Sequence, residues 1–303
     1  MRIRQPGKIR DRLWLLGCEE SCIYLLEGRD GHMIISAGMS YIVDDVLRQL
    51  GEFGIDEGSI TKLLILHAHF DHAGVAPFFK RRHPELEIYA SGRGWEILEM
   101  PKAIKTINEF SRSIAKRMGR EDVYSRYDLD WRDDIEGLPV SEGDSIDLGD
   151  LEVRIYETPG HSSCSISAYV PKMKALFASD GMGIPHGDRI FTSGNSNFTQ
   201  YQQSLEKLKE LDVAYACADH YGYIAGDEAK DYILKSIHAA REHRTLIEET
   251  YLRTKDMEVA AKELVTIFFR ENPGYIISPE ILEQVYVQKI RHIAHAMETD
   301  ERS

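Results

Sequence analysis

The stretch HAHFDHAG, residues 67–74, places three histidines and one aspartate within six positions, directly after the apolar run LLIL at 63–66. So many polar side chains beside a buried strand need a common partner, and imidazole and carboxylate suit zinc, iron and manganese. Side chains alternate along an extended loop, so His67, His69 and Asp71 point roughly one way and His72 the other. The segment therefore predicts half of a metal site, which two neighbouring ions could share.

Three further polar residues follow apolar runs that are typical of strands. His161 comes after VRIYETPG, Asp180 after ALFAS and His220 after VAYACAD. Strand ends are where sheets present chemistry, so these positions can supply the missing ligands. A single histidine is more often a hydrogen-bonded structural residue than a ligand, but the ordered set of such residues favours a metal centre.

Length and composition narrow the class of protein. The chain has 303 residues, 43% of them hydrophobic, which is enough for one large domain or a domain with an appendage. A formal net charge of -13 disfavours nucleic acid, and no apolar run is long enough to cross a bilayer. The N-terminus lacks the pattern of a secretory signal, so we expect a cytoplasmic protein with a small-molecule substrate, without a nucleic-acid or membrane partner. Association into a homodimer is left open.

Two segments are helical additions to an alternating pattern of strands and helices. The pattern predicts one domain over 1–226, with a helix at 42–51 that stops at Gly51. An insertion at about 93–136 begins with a helical stretch, 93–120, that is rich in basic residues. From 227 to 303 only helices are predicted, and we expect them to form a C-terminal cap.

Five residues are candidates for contact with substrate. Tyr221 and Tyr223 flank His220, and His186 lies in GIPHGDRIF, which could form the mouth of the pocket. Lys105 and Arg112 belong to the basic stretch, which would attract an anionic substrate if it formed a lid. The alternatives are packing for the aromatic residues and a solvated helix face for the basic ones.

The pattern H-x-H-x-D-H with its later histidine, aspartate and histidine resembles the metallo-β-lactamase-fold hydrolases over roughly residues 10–225. The resemblance implies an α/β fold, a four-layer αβ/βα sandwich with the site at one edge of two facing sheets. It also implies two divalent transition metal ions, zinc, iron or manganese. By this resemblance His67, His69 and His161 would hold one ion, Asp71, His72 and His220 the other, and Asp180 would bridge them.

Within that family, the chain is more similar to glyoxalase II-like thioesterases than to the secreted β-lactamases, which lack a bridging carboxylate. In layout it also resembles the quinolone-signal response proteins, thioesterases that act on 2-aminobenzoylacetyl-CoA. The implied activity is hydrolysis of an ester-like bond, above all a thioester such as an acyl-CoA, by a hydroxide that bridges the metal ions. Asp71 and Asp180 would be the catalytic residues. The alternatives are a lactonase or phosphodiesterase, or a regulatory or binding protein that keeps the metals and acts through a partner.

The chain departs from the family at the end of the strand that precedes the first helix. An aspartate is common there, whereas this chain has Ser36 in MIISAG. Because that acid usually supports the metal-binding loop, its absence implies either weaker support or a different partner for a ligand histidine. Separately, Asp219 is a candidate for orienting a ligand, and a surface aspartate at a strand end is the alternative.

Overall fold

Two seven-stranded sheets face each other in the computed structural model, which describes residues 1–273, 275 and 278–300, with side chains through residue 297. The strands, numbered in chain order, are β1 Arg2–Ile3, β2 Gly7–Arg10, β3 Leu13–Cys18, β4 Ser21–Gly28, β5 Gly31–Ile35, β6 Ile60–Leu64, β7 Glu87–Ser91, β8 Leu138–Val140, β9 Ser145–Asp147, β10 Glu152–Glu157, β11 Ile166–Val170, β12 Ala175–Phe177, β13 Ile184–His186, β14 Arg189–Phe191, β15 Tyr215–Cys217 and β16 Tyr223–Ala225. The helices are α1 Val43–Phe53, α2 Ala76–Arg82, α3 Gly92–Leu98, α4 Pro101–Arg117, α5 Val123–Arg126, α6 Phe198–Leu208, α7 Asp227–Thr254, α8 Met257–Glu271 and α9 Pro279–Asp300, with single 3-10 turns at Ser40–Ile42, Glu57–Ser59 and Ser179–Met182.

The order of the strands gives each sheet an antiparallel part and a parallel part. The first sheet runs β2-β3-β4-β5-β6-β7-β8, antiparallel as far as β5 and parallel from there on. The second runs β1-β16-β15-β12-β11-β10-β9 and has one parallel pair, β12 with β15. β13 and β14 form a separate hairpin.

Alternation along the strands divides the side chains between two apolar layers. On β4, Tyr24 and Leu26 point between the sheets, where Tyr24 meets Phe177 edge to face at 5.2 Å. The intervening Ile23 and Leu25 point outward to the helices. This period of two is what a strand covered on both faces requires. Helices therefore cover both outer faces, and the predicted four-layer sandwich is confirmed.

Two helix boundaries differ from the prediction for local reasons. The stretch 93–120 forms two helices instead of one, because Met100 precedes Pro101 and is held at φ -72° and ψ 124°, outside the helical region. Helix α1 continues past Gly51 and ends at Gly54, whose φ of 69° lets its backbone N–H close the last turn.

Helices α7, α8 and α9 lie within the predicted helical segment 227–303; residues 274, 276, 277 and 301–303 of that segment lie outside the described residues. They pack on α6 and on each other through Ile237, Leu264 and Ile290, which are buried. Among the described residues, no helix combines the length and apolar character needed to cross a bilayer.

Candidate metal centre and its cavity

The predicted ligands meet at one edge of the sandwich, where the two sheets come together. Two residues after the end of β6, the carbonyl of Leu66 accepts a hydrogen bond from the backbone N–H of Ile166 on the second sheet, at 2.9 Å. Strand ends from both sheets therefore open onto the same point. The seven predicted residues follow these strands: His67, His69, Asp71 and His72 after β6, His161 after β10, Asp180 after β12 and His220 after β15.

Three histidines form the first set of ligand atoms. Nε2 of His161 lies 3.2 Å from Nε2 of His67 and 3.1 Å from Nδ1 of His69. The opposite nitrogens are occupied, since Nδ1 of His161 donates to the carbonyl of Ser193 at 2.8 Å and Nδ1 of His67 contacts Oγ of Ser179 at 3.3 Å. This pairing leaves the Nε2 lone pairs of His67 and His161 directed at one point, which is the tautomer that a metal ligand needs.

A second set lies beside the first, and one carboxylate faces both. Nε2 of His72 lies 3.3 Å from Nε2 of His220 and 3.4 Å from Oδ2 of Asp71. Asp180 places Oδ2 at 3.6 Å from Nε2 of both His72 and His161, and Oδ1 at 3.6 Å from Nε2 of His220. A single side chain thus contacts members of both sets.

The chemistry of this cluster fits a pair of cations. Oδ1 of Asp180 is buried and accepts no hydrogen bond from the described residues. Burial raises the pKa of Asp180, but the nearby His72 and His220 outweigh burial and hold it well below its usual range. Burial lowers the pKa of His69 to about 4 and that of His67 well below its usual value, so both rings are neutral. Burial lowers the pKa of His72, but Asp71 and Asp180 outweigh burial and raise it well above its usual value, so a cation bound there would replace the proton on this ring. Ionised carboxylate and neutral imidazole are the forms that bind metal.

The support that Ser36 cannot provide comes from Asp219. Oδ2 of Asp219 accepts hydrogen bonds from Nδ1 of His72 and Oγ of Ser36, both at 2.8 Å, and from Oγ of Ser179 at 2.5 Å. Ser36 and Ser179 hold positive φ values of 67° and 49°, which non-glycine residues rarely adopt. Asp219 is therefore a buried carboxylate that orients a candidate ligand, the first of the two alternatives left by the sequence.

A glycine is required where His161 enters the site. Gly160 has a φ of 130°, and a Cβ there would lie 2.2 Å from the backbone nitrogen of Tyr201 on α6. The carbonyl of Gly160 also accepts from the backbone N–H groups of Ser196 and Asn197 ahead of that helix. The loop that carries His161 is thus packed directly against α6, which limits its movement.

A cavity of about 970 Å³ adjoins the candidate centre. His69, Asp71, His161 and Asp180 form one end of it. The remaining walls come from the segments added to the sandwich and are largely apolar: Ile97, Ile107 and Phe110 from α3 and α4, Ile184 and Phe191 from the hairpin, Leu264 and Phe268 from α8, and Leu282 and Tyr286 from α9. The predicted insertion and C-terminal helices therefore enclose space beside the centre.

The three aromatic candidates, Tyr221, Tyr223 and His186, lie in different surroundings. Tyr223 is on β16 and packs between the sheets, with 5% of its surface exposed. The rings of Tyr221 and His186 are in contact at 5.0 Å, and His186 also stacks on Phe191 at 4.8 Å. Tyr221 and His186 thus lie behind the Phe191 wall, and they are not among the residues that line the cavity.

The basic candidates on α4 are not part of the cavity wall. Lys105 is 74% exposed and lies 3.8 Å from Glu109, one turn along the same helix. Arg112 pairs with Asp130 at 2.7 Å and covers the ring of Tyr124 at 4.2 Å. Because these pairs use the side chains locally, the basic stretch does not present them to a ligand in the cavity.

Sequence reasoning missed three cavity residues far from the motif. Thr192, His243 and Lys289 line the wall between β14, α7 and α9. Thr192 precedes Ser193, whose carbonyl orients His161. A lone lysine in a predicted amphipathic helix carries no signal of burial, so nothing local could have singled out Lys289.

Comparison with known proteins agrees with this geometry. The family model described as the metallo-beta-lactamase superfamily matches residues 16–220. Hydroxyacylglutathione hydrolase from Hahella chejuensis (strain KCTC 2396) is 28% identical over 199 residues, which are 61% of this chain and 58% of that protein, so the match spans a little over half of this relative. Acyl-coenzyme A thioesterase MBLAC2 from Homo sapiens is 26% identical over 213 residues, 67% of this chain and 72% of the relative. Among solved structures, a metallo-beta-lactamase family protein from Thermus thermophilus has a TM-score of 0.67 at 18% identity and covers 97% of this chain and 95% of its own.

Proposed function

Because the chain belongs to the metallo-β-lactamase superfamily of metal-dependent hydrolases, we propose that it is a dinuclear enzyme that hydrolyses thioesters. The observation that carries this proposal is the junction of two convergent ligand sets with a large apolar cavity. Two similar proteins support the choice of bond, since one is named an acyl-CoA thioesterase and the other a hydrolase of an acylated glutathione.

The ligand sets define the proposed centre. One divalent ion would be held by the first set, a second ion by the second set, and both by the carboxylate of Asp180. Zinc, iron or manganese in these positions would supply Lewis acidity toward a carbonyl and lower the pKa of bound water. The members of the two sets are His67, His69 and His161, and Asp71, His72 and His220.

The chain's own residues keep this centre in a single arrangement. Nδ1 of each of three histidines has a hydrogen-bond partner, so each ring directs Nε2 toward the proposed centre. The pairs are His72 with the carboxylate of Asp219, His161 with the carbonyl of Ser193, and His220 with the carbonyl of Glu20. Preorganised groups need no rearrangement during the reaction, which is a large part of electrostatic catalysis. Asp71 also lines the cavity, and although burial raises its pKa, the nearby His72 and His220 hold it below its usual range, so an ionised carboxylate faces the place where a substrate would lie.

The cavity favours an apolar acyl group over a phosphodiester. Its volume is at the upper end of the range for small-molecule sites, and its walls offer mostly aliphatic and aromatic side chains. One of the cationic side chains on its walls, Arg189, forms an ion pair with Glu271. A thiolate is also a good leaving group, so cleavage of a thioester needs little help from a general acid.

We expect protein purified without chelator to carry about two equivalents of transition metal per chain, since imidazole and carboxylate sets of this kind bind tightly. His69→Ala and His220→Ala should each lose about one equivalent, because they belong to different sets. Elemental analysis measures this, and His238→Ala is the matched control, since His238 is 73% exposed on α7. Wild-type protein that folds and refuses zinc, iron and manganese contradicts the dinuclear centre.

The same preparation should hydrolyse thioesters faster than lactones or phosphodiesters of similar size. A panel of acyl-CoA, acylglutathione, lactone and phosphodiester substrates measures the order of kcat/KM. Fastest turnover of a phosphodiester contradicts the proposed bond. Two bound metals without turnover of any substrate would favour the regulatory alternative.

Filling the cavity should select against long acyl groups. Ala103 lies on the cavity side of α4, so Ala103→Trp should lower kcat/KM for long-chain thioesters relative to acetyl thioesters by about 10-fold or more, given the usual cost of overpacking. Ser113→Trp on the exposed side of the same helix is the control and should leave this ratio unchanged. Equal behaviour of the two variants would show that acyl groups do not enter the cavity.

A further inference from the structure

The cavity wall contains a buried lysine that has no counter-ion among the described residues. Lys289 on α9 is 4% exposed, and its Nζ donates to the carbonyl of Thr192 at 3.2 Å and lies 5.2 Å from the ring centroid of Tyr286. An ammonium group has three N–H donors, and these two contacts occupy no more than two of them. No carboxylate in the described part of the chain forms an ion pair with Lys289. One donor is therefore left for a group inside the cavity.

Neighbouring residues hold this lysine in position without neutralising it. The ring nitrogens of His243 pair with the hydroxyl groups of Thr192 and Tyr286, the latter at 3.2 Å. Burial, together with the charge of Lys289, holds the pKa of His243 well below its usual value, so the ring is neutral. We call Thr192, His243, Tyr286 and Lys289 the Lys289 cluster; it is a polar patch in the largely apolar wall of the cavity.

The position of the Lys289 cluster relates it to the candidate metal centre. The carbonyl of Thr192 accepts a hydrogen bond from Nζ of Lys289. The carbonyl of the next residue, Ser193, accepts one from Nδ1 of His161. Both Lys289 and His161 line the same cavity. A molecule whose carbonyl lies at the metal centre can thus extend along the apolar wall and reach Nζ with another part of itself.

The free-energy cost of burying the charge of Lys289 indicates which chemical group of a substrate would lie against Nζ. A buried ammonium without a counter-ion is unfavourable, and burial lowers the pKa of Lys289 to about 7. A single anionic oxygen group placed against Nζ would offset this cost. The phosphates of a CoA carrier are bulky, strongly hydrated and multiply charged, and one lysine between apolar walls does not match them. A carboxylate has the matching charge and size.

We propose that Lys289 receives a carboxylate at the far end of the acyl group, so that the preferred substrates are thioesters of dicarboxylic acids. This proposal rests on the proposed thioesterase function, because it assigns a specificity residue to that reaction. The apolar wall would hold the methylene chain, and the distance from the candidate centre to Nζ would select its length.

The test compares acyl groups that differ only at their end. N-acetylcysteamine thioesters of succinic, glutaric, adipic and suberic acids are each matched with the methyl-ended thioester of the same chain length, so that the thiol carries no charge. Wild-type protein should prefer the carboxylate-ended substrate at one length by roughly 10- to 100-fold in kcat/KM, the usual effect of a hydrogen bond to a charged group. Lys289→Met should abolish this preference and keep activity on the methyl-ended series.

Controls separate the possible outcomes. Lys102→Met changes an exposed lysine at the cavity rim and should keep the preference, and Lys289→Gln replaces Lys289→Met if the latter does not fold. Calorimetric binding of free suberate and adipate to wild-type protein and to the Lys289 variant provides a measurement that does not depend on turnover. Absence of any preference in wild-type protein, or an equal loss on both series in Lys289→Met, overturns the assignment while the thioesterase function stands. Lys289-dependent binding of a diacid without hydrolysis of any thioester would support the site and contradict the proposed function.

Discussion

Replacing Asp180 with alanine should lower kcat/KM for thioesters by about 10³-fold or more while the fold persists. The carboxylate of Asp180 approaches both ligand sets, at 3.6 Å from Nε2 of His161, His72 and His220. Its removal should therefore weaken the binding of both ions, whereas removal of a ligand from one set should mainly weaken the binding of one. The expected metal content falls below one equivalent per chain.

The local backbone gives a reason to expect a folded variant. The carbonyl of Asp180 accepts from Oγ of Ser193 and from the backbone N–H of Gly183, and alanine keeps both contacts. Melting temperature and kcat/KM should be measured on the same sample. Asp188→Ala, at the exposed tip of the neighbouring hairpin, is the matched control and should keep normal activity. Turnover of Asp180→Ala at the normal rate would remove Asp180 from the centre.

Asp219→Ala should reduce activity by about 10- to 100-fold through His72, which Asp219 orients. The variant removes the acceptor at 2.8 Å from Nδ1 of His72, so the ring loses the partner that keeps Nε2 toward the second set. It also removes the acceptor shared by Ser36 and Ser179. We expect loss of the ion held by the set that contains His72, while the ion held by His67, His69 and His161 is largely retained.

Metal content should be measured at increasing chelator concentration. This measurement separates a lost orientation of the His72 ring from a general loss of fold stability. Asp219→Asn keeps an acceptor for His72 and should recover part of the activity. Ser36→Ala removes one hydrogen bond to Asp219 but leaves the His72 contact, and its effect should be only a few-fold. Loss of both ions in parallel would instead indicate collapse of the whole edge of the sandwich.

Local chemistry made much of the architecture predictable. Short apolar runs ended by glycine predicted the strands β3, β4 and β5, and the periodic segments after residue 227 predicted helices. The family signature at 67–72 predicted the four-layer fold. Two predicted helix boundaries were wrong, and each depends on a single residue. Helix α1 tolerates Gly51 in its last turn, and the stretch 93–120 is interrupted at Met100 because a proline follows it.

Contacts over long separations were not predictable in the same way. The sequence left Asp219 between two alternatives, because its pairing with His72 joins residues 147 positions apart. Arg112 belonged to a basic stretch by composition, but Asp130 brings a carboxylate to it across the loop after α4. A charge in the sequence does not show whether folding supplies its partner.

The sequence by itself determined the strand ends, the order of the ligand-type residues and the presence of two helical additions. Each of these depends on residues a few positions apart, where periodicity and side-chain chemistry act directly. Only the tertiary structure decided that the additions enclose a cavity, that Asp219 supports His72, and that Lys289 is buried beside Thr192 with no counter-ion in the described part of the chain. These features arise when segments distant in the chain are packed together, since burial and the distance between charges are properties of the whole fold.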